Sequence, residues 1–237
     1  MKVIDKTIGD FGSKVFAGWR HAAGKSWQDY VDHEFVRGLG DGSLPRSAFM
    51  AYLIQDYIFL THFSRAWALA IVKSETPEQM RGAAATVNAL INVEVQLHIE
   101  ICAREGISEA QLLQATEEPE NLAYTRYVMD AGLSGDLLDL LATLAPCVFG
   151  YADIGYRLSQ CHDTTALYRE WIDTYHSDDY KPVCVSVASL IEQVAYAKLG
   201  DNPEQNPRWP VLCRRFKTAT QLEVNFWSMG LRLGNAG

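Results

Sequence analysis

The sequence has no run of lysines and arginines, and its 21 basic residues are outnumbered by 29 acidic ones, giving a net charge of −8. Nucleic-acid-binding proteins normally carry a clustered basic patch. No nucleic-acid partner is therefore predicted, and the acidic balance is expected to aid solubility. No uninterrupted apolar run approaches the roughly 18 residues that a membrane-spanning helix needs, so no membrane partner is predicted either.

Cysteine is scarce and scattered. Its five positions are odd in number and no two have C-x-x-C spacing: Cys102, Cys147, Cys161, Cys184 and Cys213. Disulfide frameworks and zinc sites need even numbers or close pairs. The N-terminus also lacks the continuous apolar core of a signal peptide. These absences predict reduced thiols and a cytoplasmic location.

No segment alternates apolar and polar residues in the manner of a strand, so no β-sheet is predicted. Apolar residues instead recur at helical spacing between short breaks. The predicted helices cover about 5–22, 27–35, 46–73, 77–104, 109–114, 120–132, 136–159, 163–175, 178–199 and 207–232, with a stop at Gly38–Gly42. With 237 residues, 48% of them hydrophobic, the chain is predicted to be a single all-α domain, residues 1–237, packed around one core.

The sequence also lacks the usual signature of a di-iron helical protein, which is Glu-x-x-His on each of two helices. No glutamate has a histidine three residues later. Glu94 and His98 lie four apart on one predicted helix and would supply two ligands, but no second histidine pair completes a site. No metal and no organic cofactor is predicted. An iron-dependent oxidase stays open as an alternative.

Three polar residues lie on predicted apolar faces, each on a different long helix: Asp56, Cys147 and Glu223. A buried carboxylate is costly unless it is paired, hydrogen-bonded or protonated, so such residues mark either a structural network or a functional site. For Asp56 the structural alternative is an ion pair with Arg65 or Lys73.

Cys147 follows Pro146 and precedes Tyr151 by four residues, which places the thiol and the phenol on one helical face. A proline inside a helix removes a hydrogen bond and clashes with the carbonyl four residues back, here Ala142, so the helix is expected to kink or restart. The dipole of a helix start would favour a thiolate and lower the pKa of Cys147. The alternative is an inert buried cysteine, which is the commoner role.

Five motifs in the right order over nearly the whole chain resemble the TenA or thiaminase II family. They are Gly38-x-Gly-Asp-Gly-x-Leu-Pro45, Tyr52-Leu-Ile-Gln-Asp-Tyr57, Leu60-Thr-His-Phe63, Pro146-Cys147-x-x-x-Tyr151-x-x-x-Gly155 and Glu223-x-x-Phe226-Trp227. The resemblance implies a haem-oxygenase-like helical bundle, a homotetramer and one pyrimidine pocket per subunit. It also implies a cofactor-independent hydrolase that converts 4-amino-5-aminomethyl-2-methylpyrimidine, and in many members thiamin, to the hydroxymethylpyrimidine used in thiamin salvage.

The same resemblance implies roles for individual residues. Cys147 matches the nucleophile, Asp56 the carboxylate that holds the pyrimidine nitrogens, and Glu223 the acid that protonates the leaving group. The residues matching those that stack on or hydrogen-bond the ring are Tyr124, Tyr151, Tyr175 and Phe226. Phe59 belongs to the same substrate-binding set but replaces a tyrosine that is frequent in the family, so one hydroxyl near the leaving group is missing. A second alternative remains a non-catalytic pyrimidine- or thiamin-binding protein.

Overall fold

A computed structural model describes residues 9–235, and within them every regular element is helical. The predicted all-α class is confirmed. The helices are α1 Lys14–Ala23, α2 Lys25–Val31, α3 Glu34–Asp41, α4 Arg46–Lys73, α5 Pro77–Ala89, α6 Val95–Arg104, α7 Glu109–Gln114, α8 Pro119–Ser134, α9 Leu137–Leu158, α10 Ala166–His176, α11 Tyr180–Leu199 and α12 Trp209–Gly234. A π-helical turn, Leu90–Glu94, joins α5 to α6, and a 3₁₀ turn, Pro203–Gln205, precedes α12.

The core is built around α9, which packs against α4, α8, α10, α11 and α12. All but two of its residues are buried. Its length and composition would also suit a membrane span, contrary to the expectation that no such segment exists, but its most apolar window is fully buried inside the protein. An apolar helix surrounded by other helices is the ordinary centre of a helical bundle.

The expected helix restart at Pro146 is wrong. Helix α9 runs unbroken through Pro146, and its N-terminus lies at Asp136, which accepts hydrogen bonds from the backbone amides of Leu138 and Asp139 in a capping box. Close packing on every side over-determines the helix and outweighs the local cost of the proline. Cys147 therefore lies in a helix interior, where no free amide donors are available.

The N-terminal predictions need two corrections. The pattern from Trp27 to Phe35 predicts one helix, but the chain breaks at Asp32, and His33 caps α3 by accepting a hydrogen bond from the Phe35 amide at 3.2 Å. The predicted stop at Gly38–Gly42 lies mostly inside α3, which ends only where Gly42 adopts a left-handed φ of 75°. The predicted first helix begins among residues 5–8, which lie outside the described residues; the observed α1 starts at Lys14.

The apolar spacing of residues 77–104 predicts an inward stripe whose members are Met80, Ala84, Val87, Leu90, Ile91, Glu94, Leu97 and Ile101. The first half of this stripe is largely wrong: Met80, Ala84 and Ile91 are exposed, and Leu90 is buried as predicted but together with Gln79, Ala83 and Thr86. The π turn explains part of the error, since a turn with i to i+5 bonding breaks the 3.6-residue period. The last residue of this turn, Glu94, is half-buried, and the buried positions beyond it are His98, Ile101 and Cys102.

Candidate active site

Five helices bring the predicted catalytic and binding side chains to one region in the middle of the bundle. Asp56 and Phe59 come from α4, Tyr124 from α8, Cys147 and Tyr151 from α9, Tyr175 from α10, and Glu223 and Phe226 from α12. Each of these side chains is buried. The three polar positions singled out on separate helices therefore belong to one site.

Cys147 lies at the centre of this group and is 7% exposed. Burial raises the pKa of its thiol well above the ordinary value, and the nearby acids Glu223, Glu94 and Asp56 raise it further. The expected lowering of this pKa is therefore wrong, because the thiol faces carboxylates instead of a helix N-terminus. In the unliganded site the sulfur is a protonated thiol.

Asp56 is held by two donors that converge on one of its oxygens. The Tyr52 hydroxyl donates to Oδ2 at 2.8 Å, and the His98 Nε2 lies 2.7 Å from the same atom. His98 is completely buried, and its Nδ1 lies 2.7 Å from the Glu94 carbonyl oxygen. Because a carbonyl can only accept, Nδ1 carries a proton, and Nε2 and Asp56 share a further one. Among the described residues no hydrogen bond reaches Oδ1.

The partners predicted for a purely structural Asp56 are wrong. Arg65 lies beside His62, and Lys73 donates to the Gly135 carbonyl at 2.7 Å. The observed partner is His98, whose pKa burial alone would lower. The hydrogen bond and the charge of Asp56 outweigh that effect and raise the pKa of His98.

A chain of hydroxyl groups extends from Asp56 to the helix that carries the thiol. Since Tyr52 gives its proton to Asp56, its oxygen is free to accept from Trp171 Nε1 at 3.2 Å and from the Tyr151 hydroxyl at 3.3 Å. Tyr151 lies one helical turn after Cys147 on α9. In this chain of hydrogen bonds Tyr151 donates to Tyr52, and Tyr52 donates to Asp56. The chain therefore connects α9, which carries Cys147, to Asp56.

Glu223 occupies the opposite side of the site. Its Oε1 accepts a hydrogen bond from the Tyr124 hydroxyl at 2.9 Å. Burial raises the pKa of Glu223 to about 8, against the lowering effect of the Tyr124 bond. Glu223 is therefore protonated at neutral pH and suited to donate a proton. Phe59 packs between Tyr124 and Phe226, with ring centroids 4.9 Å and 5.5 Å away, and forms an aromatic wall.

Tyr175 reaches the site from α10 because Gly155 leaves room for it; a Cβ on Gly155 would lie 2.7 Å from the Tyr175 backbone carbon. The Tyr175 ring packs 4.8 Å from Tyr151, and its hydroxyl lies 3.5 Å from Glu94 Oε2. Burial raises the pKa of Glu94 to about 7. Together with Tyr180, Tyr175 also lines a surface cavity of about 220 Å³, so these two tyrosines separate the buried site from solvent.

Residues 9–235 contain no group of three or more histidine, cysteine, aspartate or glutamate side chains placed to hold a metal ion. His98, one half of the iron pair considered from the sequence, uses both ring nitrogens within the protein. Its actual partner, Asp56, is 42 positions earlier on α4.

Three site residues escaped the sequence reasoning: Tyr52, Trp171 and His98, the last in its pairing with Asp56. Tyr52 had a usable signal, since it precedes Asp56 by one helical turn. Trp171 and His98 form hydrogen bonds to residues of another helix, and the spacing of residues along the chain does not predict such pairs.

The TENA/THI-4/PQQC family model matches residues 20–233. An aminopyrimidine aminohydrolase of Halalkalibacterium halodurans is 32% identical over 205 residues, which cover 86% of this chain and 89% of that protein. A solved structure from Silicibacter sp. TM1040, described as a TenA family transcription regulator, is 54% identical with a TM-score of 0.91, covering 94% of this chain and 99% of that one. A Shewanella denitrificans domain described as having a heme oxygenase-like fold has a TM-score of 0.68 at 13% identity, covering 91% of each chain.

Proposed function

Because this chain belongs to the TENA/THI-4/PQQC family, we propose that it is an aminopyrimidine aminohydrolase of the thiaminase II type. The substrate is 4-amino-5-aminomethyl-2-methylpyrimidine, and the products are ammonia and the hydroxymethylpyrimidine that thiamin salvage uses. The fold is of the haem-oxygenase-like type. One observation carries the proposal: the buried Cys147 thiol shares one electrostatic environment with the hydrogen-bonded Asp56–His98 pair and with Glu223, whose raised pKa keeps it protonated.

Substrate recognition falls to Asp56. Tyr52 and His98 fix the carboxylate through Oδ2, which leaves Oδ1 for the amino group of the pyrimidine. The proton shared with His98 is available to the ring nitrogen. Aromatic side chains buried in the same region would stack on a flat ring of this kind: Tyr124, Tyr151, Tyr175, Phe59 and Phe226.

The chemistry follows from the pKa directions. Protonation of a ring nitrogen by the Asp56–His98 pair makes the adjacent carbon electrophilic, and the Cys147 sulfur bonds to it while the thiol proton passes to a carboxylate of the site. Electrons returned through the ring break the bond from the exocyclic methylene to the amine, and Glu223 donates a proton to the departing nitrogen. Water then adds to the methylene and gives a proton to the ionised Glu223, and the carbon–sulfur bond breaks to release a thiolate that recovers its proton from the carboxylate that took it. General acids of this kind contribute roughly 10²–10⁴-fold.

The electrostatics of the site favour a cationic substrate. The groups that most raise the pKa of Cys147 after burial are Glu223, Glu94 and Asp56, and each of them is an acid. An ammonium or thiazolium leaving group suits these surroundings, whereas a phosphorylated substrate would place an anion among carboxylates.

The test is ammonia release from the aminomethylpyrimidine by wild type and by Cys147→Ser, with thiamin assayed in parallel. We expect the variant to lose on the order of 10³-fold or more in rate, since the attacking atom is replaced. The matched control is Cys213→Ser, because Cys213 is a free, partly buried cysteine on α12 that is not part of the site. This variant should keep the wild-type rate.

Two other functions give different results in the same experiment. A regulatory or binding protein, the function named for the Silicibacter structure, would bind the pyrimidine with wild-type affinity after Cys147→Ser and release no ammonia in either form. An iron-dependent oxidase would purify with stoichiometric iron. Either result overturns the hydrolase.

The proposal includes a cytoplasmic homotetramer without nucleic-acid or membrane partners. The five free cysteines support a reducing compartment, the acidic charge argues against nucleic acid, and the tetramer rests on the family resemblance. Light scattering on the purified protein measures the assembly, and a monomer would remove that part of the proposal.

A further inference from the structure

Tyr30 on α2 is completely buried, and its hydroxyl has no hydrogen-bond partner among the described residues. Burying a hydroxyl without a partner costs about 1–3 kcal/mol. A phenylalanine would fill the same space without this cost. The hydroxyl is therefore a feature that packing alone does not account for.

The ring is held against the helix that carries the thiol. A Cβ on Gly150 would lie 2.0 Å from Tyr30 Cε1 and 2.6 Å from the hydroxyl oxygen, so only glycine permits this approach. Gly150 lies one turn after Cys147. Trp27 and Trp227 fix the ring from two sides, with centroids 5.8 Å and 6.3 Å away. The hydroxyl held in this way is close enough to Glu223 to lower the pKa of that acid as a hydrogen-bond donor.

The ionisable groups around this hydroxyl come from four helices. After burial, the pKa of Tyr30 is raised by Glu223 on α12, Cys147 on α9, Tyr124 on α8 and Tyr180 on α11. The pKa of Glu223 is in turn raised by Asp56 on α4 and lowered by Tyr124 and Tyr30, both acting as hydrogen-bond donors, although the Tyr30 contact lies outside normal hydrogen-bond geometry. Helices α1 and α3 also pack against α12, but no ionisable group on either helix is among the causes of the Glu223 pKa shift.

We propose that Tyr30 is a positioning residue for Glu223, whose ionised carboxylate accepts a hydrogen bond from the Tyr30 hydroxyl once the acid has given its proton to the leaving group. This inference rests on the proposed hydrolase. Tyr124 already supplies one donor to Oε1. A buried carboxylate needs at least one further donor, and Tyr30 is an unpaired hydroxyl that already acts on the pKa of Glu223 as a donor.

This role explains why the Tyr30 hydroxyl is unpaired in the site without substrate. While Glu223 is protonated, the Tyr124 hydroxyl supplies the one donor that the neutral carboxyl accepts, and the Tyr30 hydroxyl makes no hydrogen bond of normal geometry. When Glu223 becomes an anion, the waiting donor is already in place and no reorganisation is required. The hydroxyl is thus complementary to the charge that appears during the reaction.

The experiment compares wild type, Tyr30→Phe and the control Tyr168→Phe in ammonia release across pH 6–10, together with thermal unfolding. Tyr168 donates to the Leu44 carbonyl at 2.7 Å, outside the site, so its variant removes a satisfied buried hydroxyl. We expect Tyr30→Phe to lower kcat about tenfold, the order of one hydrogen bond to a charged group, and to move the alkaline limb of the kcat profile upward. Its Tm should be unchanged or higher, because no hydrogen bond is lost.

Tyr168→Phe should show the reverse pattern, with a lower Tm and an unchanged pH profile. A Tyr30→Phe enzyme with wild-type kcat and an unmoved alkaline limb overturns the inference and leaves the hydrolase intact. A wild-type protein that releases no ammonia overturns the hydrolase, and the role of Tyr30 with it.

Discussion

Replacing Glu223 by glutamine should make the protein more stable while it removes the general acid. Glu223 is 2% exposed, and its pKa rises from 4.5 to about 8 on folding, chiefly through burial. Between these two pH values the folded state holds a proton that the unfolded state has released, so wild-type stability falls as pH rises. At about 1.4 kcal/mol per pH unit, the loss between pH 4.5 and pH 7 is about 3 kcal/mol.

Glutamine has nearly the shape of protonated glutamic acid, keeps an acceptor for the Tyr124 hydroxyl and does not ionise. Glu223→Gln should therefore exceed wild type by about 3 kcal/mol in unfolding free energy at pH 7, with the difference falling toward zero near pH 4.5. Activity should fall by roughly 10²–10⁴-fold, because the amide cannot supply the proton.

Urea unfolding followed by tryptophan fluorescence, repeated from pH 4.5 to pH 8, measures the difference. Glu100→Gln, at an exposed position on α6, is the matched control and should follow wild type at every pH. If Glu223→Gln is no more stable than wild type at pH 7, or if its advantage grows as pH falls, Glu223 is not protonated in the folded protein. The assignment of Glu223 as the acid would then lose its physical basis.

Two further variants test the packing and the charge pair. Gly150→Ala should lower stability by about 3 kcal/mol or more in thermal or urea unfolding, because the new methyl group overlaps the Tyr30 ring. Adding Tyr30→Phe should not restore it, since the clash at Cε1 remains; restoration would mean that the ring is mobile. His98→Gln should cost about 3–5 kcal/mol at pH 6, since it breaks a buried charged pair. The pKa of His98 is raised, so this contribution is complete below 6.5 and diminishes as pH rises through the folded value. A cost that grows with pH in the same unfolding measurements would contradict the shared proton.

The long helices were predictable because each has strong local signals. The α4 prediction matches the observed bounds, with Pro45 before its first residue, and α8 to α12 differ by a few residues at their ends. The errors occur where local signals were weak or were outweighed. The π turn before α6 shifted the apolar stripe, and Pro146 suggested a break that packing on all sides prevents.

The sequence by itself determined the helical class and the residue types of the site, because periodicity and motif spacing are local properties. It placed Asp56, Cys147 and Glu223 on faces that turn inward. Only the tertiary structure decided which groups share protons and charge. The Asp56–His98 pair, the protonation of Glu223, the raised pKa of Cys147 and the unpaired Tyr30 hydroxyl each depend on side chains from different helices meeting in a dry interior. Desolvation and charge coupling depend on those distances, and no spacing along the chain encodes them.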